Sequence, residues 1–253
     1  MTQTAPAQAL LNALDGVVTA VIDAASIETD KLGQFPAPSL AALRSAGLLG
    51  LISDASVGGA GGDMGHASRA VRRIAQSCPS TAMILAMHYS ATAVIENFGD
   101  ETTRKAIAAG QHLSTLAFSE AGSRSHFWAP TSTARADGSG AVLDAAKSWV
   151  TAAGHADSYV WSSQPLAASG ASSIWLMPRE TAGLSTVAPF DGMGLRGNAS
   201  SPVRAEGVRL PLTAMLGADG TGFDVMMGTV LPWFSVLNAS GSVGMMDGAI
   251  TRA

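Results

Sequence analysis

A single cysteine, Cys78, stands in 253 residues, so no disulfide can close within the chain and a thiolate-based zinc site is excluded. Charge is scarce as well: 13% of residues are Asp, Glu, Lys or Arg, and the net charge is -4. A chain of that balance has no basic field for nucleic acid. Aromatics make up only 6% of the sequence and are not interleaved with basic residues, which removes the usual platform for stacking single strands. No lysine or arginine precedes Lys31, so the basic start of an export signal is missing. The longest apolar runs, such as residues 46–52, are far shorter than the ~20 residues of a membrane helix. Hydrophobic residues nevertheless make up 47% of the chain, the opposite of a disordered composition. The expectation is a soluble, cytoplasmic protein with its own core, binding neither nucleic acid nor membrane.

Other chemistries lack their signatures. His66, His88, His112, His126 and His155 show no metal-binding spacing, so each is expected to be a packing or surface residue and no metal site is assigned. No GxSxG elbow occurs, leaving a hydrolase triad without its nucleophile. One literal dinucleotide fingerprint, Gly192-Met193-Gly194-Leu195-Arg196-Gly197, follows Pro189-Phe190-Asp191 and leads into Asn198-Ala199-Ser200-Ser201-Pro202. The motif works only between a strand and a helix N-terminus, and neither flank fits. The glycine-rich stretch 58–62 lacks the Lys-Ser/Thr of a phosphate-binding loop and is expected to be a flexible connection.

Periodicity divides the chain. Leu10, Leu14, Val17, Val18, Val21 and Ile22 recur at helical spacing. Ser39 is expected to cap a short helix ended by Gly47, and Asp63 to cap another. Pro79 ends that one, Ser80 begins a helix running toward Phe98, and Asp100 starts the next, closed by Gly110. The period then changes. Strands are expected at 113–119, 159–163, 173–177 and 202–210, with a hairpin over 131–151 turning at Asp137-Gly138-Ser139-Gly140. Helical character returns near Phe223, with Pro232 kinking or restarting it. Segregated blocks of this kind predict an α+β fold. Its parts are an N-terminal α-helical domain (1–112), a middle β-barrel-like domain (113–218) and the start of a C-terminal helical bundle (219–253). An apolar helix stopping at Ala253 needs something to bury against, so further helices are expected from more chain or another subunit.

Two stretches carry the strongest signal: Leu116-Ala117-Phe118-Ser119-Glu120-Ala121-Gly122-Ser123-Arg124-Ser125, and Lys147-Ser148-Trp149-Val150-Thr151-Ala152-Ala153-Gly154-His155-Ala156-Asp157. Together they resemble the flavin-binding β-domain of the acyl-CoA dehydrogenase family. The resemblance extends to residues 43–62, to the segment from His88 through Phe98-Gly99-Asp100-Glu101, and to residues 194–223. A flavin ring needs hydrogen bonds at its polar edge, which a strand end with backbone N–H groups and a Ser or Thr hydroxyl can offer.

The resemblance implies FAD as cofactor. Leu116, Phe118 and Ser119 would line one side of the flavin, Ser125 would meet its pyrophosphate or the substrate, Trp149 would pack on the ring system, and Thr151 would add a second hydroxyl. Taken singly, Trp149 reads better as a core aromatic and the hydroxyls as ordinary strand residues; it is the surrounding motifs that favour the flavin.

The resemblance further implies α,β-dehydrogenation of an acyl-CoA in fatty acid metabolism, with an electron-transfer flavoprotein or similar acceptor and a homodimer or homotetramer. The family's carboxylate base sits beyond Ala253, so no residue here inherits a catalytic role, and Glu120 is expected to be structural. Arg124 stands where the family usually has Gly, His126 where it has Asp, and Ser235 near a usual Arg. Two alternatives stay open: a flavin monooxygenase of the same superfamily, fed reduced flavin by a separate reductase, and a non-catalytic partner subunit of a hetero-oligomeric dehydrogenase.

Overall fold

The structure is a computed structural model and describes residues 5–124 and 126–253. It opens with one long helical rod: α1 (Ala5–Val17), a π-turn (Val18–Ile22) and α2 (Asp23–Leu32). By length and composition alone the helical span Ala5–Leu32 is long and apolar enough to cross a membrane, with a mean hydropathy of 1.5 over its most apolar 18-residue window. Here Ala7, Leu14, Val18 and Ile22 are buried in the core of the helical layer. Gly33 takes a left-handed backbone, φ 61°, and stops the rod.

Next comes α3 (Ala37–Ser45). Ser39 does not cap it: Pro36 holds the N-cap position, Pro38 lies in the first turn, and Ser39 is buried inside the helix. Proline supplies the start because it fixes φ and gives up an N–H that would be orphaned anyway. Asp63 does cap α4 (Met64–Ala75), exchanging hydrogen bonds with His66 in a capping box. Between these helices the glycine-rich stretch is packed rather than free. Gly59 and Gly62 donate to Asp54 O and Leu51 O at 3.0 and 2.8 Å, and a Cβ on Gly59 would run into Ser53.

Helix α5 (Pro79–Phe98) is the axle of the molecule, buried along almost its whole length. Two of its polar residues find partners across the core: Tyr89 Oη donates to Leu48 O at 2.6 Å, and His88 Nε2 meets Leu49 O at 3.0 Å. Asp100 caps α6 (Glu101–Ala108), accepting from Thr103 N at 2.9 Å.

The strands follow. β1 (Ser114–Ala117), β4 (Ser158–Ser163) and β5 (Ser173–Pro178) form one sheet in the order β1-β4-β5, with β1 and β4 parallel. A second sheet runs β2-β3-β7-β6, made of β2 (Thr133–Asp137), β3 (Gly140–Val150), β7 (Ser201–Pro211) and the short edge strand β6 (Leu184–Thr186). The sheets share one core, in which Trp161, Trp175 and Tyr159 meet Leu143, Val203 and Val208. The expected α+β succession of a helical domain, a β-domain and returning helix is what the structure has; its two sheets pack on each other over this core as separate sheets, without closing into a barrel.

The chain ends in α7 (Gly222–Val225), a π-turn (Met226–Val230) and α8 (Leu231–Arg252) as one continuous rod. Pro232 stands in the first turn of α8, where the α-helix restarts after the π-turn, as one of the two expected outcomes has it. Proline cannot donate, and its ring crowds the carbonyl four residues back, and the wider π-turn just upstream relieves that conflict. α8 lies along α4 at backbone distance: a Cβ on Gly244 would collide with Arg72 O and one on Gly248 with Gln76 O. Beside them, Ser240 Oγ and Ser68 Oγ bond across the seam at 2.7 Å.

Candidate functional site

β3 is where the site is made. Opposite β7, Lys147 pairs with Val203 and Val150 with Ser201, so three residues advance on β3 while two advance on β7. The extra residue is a bulge, and it re-aims the side chains around it. Lys147 is fully enclosed, whereas Trp149, two positions on, is 65% exposed. A strand without the bulge would put both on one face. Trp161 and Trp175 are wholly buried, so the chain buries indoles where it can. Trp149 is therefore not a core aromatic.

A cleft of about 330 Å³ opens beside it. Leu116, Phe118 and Ser119 line it from the end of β1, Trp149 and Thr151 from the end of β3, and Phe127 from the loop between β1 and β2. Five of the six flavin-contact residues expected from sequence therefore meet in one cavity. The sixth, Ser125, lies outside the described residues. The opposite wall is made by residues that the two motifs did not assign to the site: Met83 and Met87 of α5, Val230, Leu231 and Phe234 around the start of α8, and Leu195, Asn198 and Ser200 ahead of β7. On helices such residues read as ordinary core. The last three sit within or just after the literal glycine fingerprint, which here leads into a single 3-10 turn (Arg196–Asn198) and then a strand.

The cleft is apolar with a polar seam. Thr151 Oγ1 and Ser200 Oγ are 3.4 Å apart, and Asn198 Oδ1 accepts from Ser200 N at 2.9 Å. No charged side chain lines it among the described residues. Backbone strain concentrates at its border. Among the described residues, four non-glycine positions have positive φ: Arg124, Ala152, Leu195 and Ala199. Each lies on a segment that lines the cleft or directly adjoins a lining residue, and each left-handed residue costs about 1–2 kcal/mol. Strain retained in this way marks segments held for a purpose other than stability.

Just behind the cleft, Glu120 and Lys147 form a buried ion pair at 2.5 Å. Burial raises the Glu120 pKa, but the Lys147 charge and hydrogen bonds from Lys147, Ser132 and Thr131 outweigh it and hold the carboxyl below its usual range. Burial likewise pushes Lys147 down, against the pull of Glu120. Glu120 faces away from the cleft into this network, as a structural residue would.

Two of the histidines behave as packing residues. His88 is buried, accepting from Ser114 N at 3.2 Å, and His155 stacks on Phe35 with ring centroids 3.8 Å apart. No cluster of three metal-binding side chains exists among the described residues.

The cleft suits a flat heteroaromatic ring: an open indole face, aliphatic walls, and hydroxyl and amide groups gathered along one edge.

Residues 4–110 match the family description "Acyl-CoA dehydrogenase, N-terminal domain", and residues 115–208 match "Acyl-CoA dehydrogenase, middle domain". The short-chain specific acyl-CoA dehydrogenase of Homo sapiens mitochondria is 31% identical over 210 residues, which are 80% of this chain and 51% of that protein. The fold matches butyryl-CoA dehydrogenase from Megasphaera elsdenii with a TM-score of 0.90 at 21% identity, over 99% of this chain and 68% of that one. A glutaryl-coenzyme A dehydrogenase in complex with glutaryl-CoA matches with a TM-score of 0.88 at 22% identity, over 98% and 65% of the two chains. The chain thus spans about half the length of the curated relatives it matches.

Proposed function

The chain belongs to the acyl-CoA dehydrogenase family, and on that premise we propose that its cleft holds the flavin ring of FAD in an enzyme that desaturates an acyl-CoA thioester between its α and β carbons. The observation that carries this reading is the gathering of Leu116, Phe118, Ser119, Trp149 and Thr151, from two distant motifs, around one cavity beside a largely exposed indole. Leu116, Phe118, Ser119, Trp149 and Thr151 would hold the FAD ring, and the bound flavin would supply the acceptor for the β-hydrogen leaving as hydride.

The residues of this chain do the rest of the holding. Trp149 presents a flat face against which a ring can stack. The Ser119 and Thr151 hydroxyls stand where a polar ring edge needs donors. Met83, Met87, Leu231 and Phe234 close the other wall with flexible or aromatic apolar groups, which exclude water from the reacting carbons. The α-proton requires a base. The described residues lining the cleft are uncharged, so the acceptor comes from elsewhere in the active enzyme.

Substrate, acceptor and assembly follow the same reading. We propose an acyl-CoA substrate from fatty acid metabolism, an electron-transfer flavoprotein or similar acceptor, a homodimer or homotetramer, and a cytoplasmic location. The exposed apolar residues of α8, among them Phe234, Met246 and Ile250, support further packing against helices or a second copy.

An anaerobic titration of the flavin-loaded protein with a panel of acyl-CoA thioesters, followed by flavin absorbance, tests the proposal. Bleaching by one thioester is the expected result and names the substrate class. A yellow protein bleached by none would replace it with oxygen chemistry on reduced flavin. A protein that stays colourless with added FAD would leave a non-catalytic partner subunit.

A further inference from the structure

Neither Lys147 nor Glu120 lines the cleft, yet between them they tie together the ends of β1 and β3 that do. The Lys147 ammonium donates to Glu120 Oε1 at 2.5 Å, to Ser162 O at 2.7 Å and to Ser162 Oγ at 2.9 Å, with Phe118 O at 3.5 Å. Glu120 Oε2 accepts from Thr131 N at 2.7 Å, Thr131 Oγ1 at 2.5 Å and Ser132 N at 3.0 Å, and Oε1 accepts from Ser132 Oγ. One ion pair therefore joins the end of β1, the entry to β2, β3 and β4. The side chains are 0% and 3% exposed.

Stability alone does not account for it. Desolvating two ions costs several kcal/mol each, and apolar residues of similar shape commonly do as well or better. The backbone supplies a reason to keep it. At the bulge, the β7 ladder holds Lys147 and Val150 but not Ser148 or Trp149. On the other side the main-chain tie is Ser148 N–H to Ser119 O, 2.8 Å, beside the bridge between Glu120 and Lys147. Ser119 immediately precedes Glu120, and Trp149 lies two residues after Lys147. The offset between these two cleft residues is fixed where the β7 ladder is interrupted, by one main-chain bond and the side-chain ion pair that braces it.

We propose that the Glu120–Lys147 pair is a positioning device that sets Ser119 and Trp149 in register for one ligand. The inference rests on the flavin reading of the cleft. Its test compares the wild type with Glu120→Gln/Lys147→Met, which removes both charges at similar volume, and with the milder Thr131→Val, which trims one bond to Glu120. Two quantities are read: FAD affinity, and the emission of Trp149 in the FAD-free protein, obtained as the difference between each variant and the same variant carrying Trp149→Phe.

The double variant is expected to keep its cooperative unfolding and thermal midpoint, to weaken FAD binding about ten-fold or more, and to shift the Trp149 emission. Thr131→Val is expected to move both readouts in the same direction by less, and it decides the question if the double variant does not fold. Unchanged FAD affinity and unchanged Trp149 emission in a folded variant would overturn the proposal, because a merely structural pair would move the midpoint alone. If the wild type itself binds no FAD, the flavin reading fails, and the Trp149 emission still decides whether the pair sets the register.

Discussion

Phe190 lies against Trp149 with ring centroids 4.0 Å apart and planes inclined by 33°. Its backbone is fastened to the cleft as well, since Phe190 N donates to Ser200 O at 2.9 Å. The loop before β7 thus steadies the exposed indole through an aromatic contact of about 0.5–1.5 kcal/mol. Phe190→Ala is expected to weaken FAD binding by up to about ten-fold while leaving the fold intact. Fluorescence titration of the FAD-free protein measures it, and an unaltered affinity would remove Phe190 from the site.

Trp149 and Ser119 are the direct test of the cleft. Trp149 is 65% exposed, so losing it removes little buried surface and stability should change by less than about 1 kcal/mol. Trp149→Ala with Ser119→Ala is expected to lose flavin during gel filtration while unfolding at nearly the wild-type temperature. Full flavin retention would place the flavin elsewhere.

Arg124 sits at φ 50° with its side chain exposed. Glycine adopts that backbone without the ~1–2 kcal/mol penalty, and part of the gain is offset by the greater freedom of glycine in the unfolded chain. Arg124→Gly is expected to stabilise the protein by about 0.5–1 kcal/mol, read as a higher urea midpoint. A lower midpoint would mean that the guanidinium holds the turn by a contact worth more than the strain.

His88 gives the fold an acid limit. Burial, its largest influence, with the charge of His112 adding to it, holds the ring down at about 4 from an ordinary 6.5, against the hydrogen bond to Leu49. Between those values the unfolded chain binds a proton that the folded one refuses, so stability is complete above pH 6.5 and falls as the pH drops toward 4. The loss is roughly 3 kcal/mol. Urea midpoints measured across this range should fall more steeply for the wild type than for His88→Gln. Parallel curves would assign the acid sensitivity to other groups.

Much of this was legible from residue order. The helix–strand–helix succession, the hairpin at Asp137–Gly140, the Asp63 and Asp100 caps and the two contiguous motifs all follow from local chemistry that the tertiary structure keeps. What escaped depends on distant partners. β6 is a three-residue edge strand, too short to show alternation. Ser39 has a capping side chain, but the neighbouring prolines take the helix start. The far wall of the cleft comes from Met83, Met87, Val230, Leu231 and Phe234, whose helical spacing is that of any core residue. The buried partnership of Glu120 and Lys147 is equally silent in sequence, because a salt bridge between residues 27 positions apart has no local pattern.

The seam where α8 meets α4 bears on how the cleft can respond to a ligand. Gly244 and Gly248 bring main chain against main chain, so the interface contains no compressible side chains at these points, and the spacing of the two helices is a hard stop. Leu231 and Phe234 ride on the same rigid rod. An arriving ligand must be accommodated by rotation about side-chain bonds, at Met83, Met87 and Phe234, and not by drift of the helix that carries the wall.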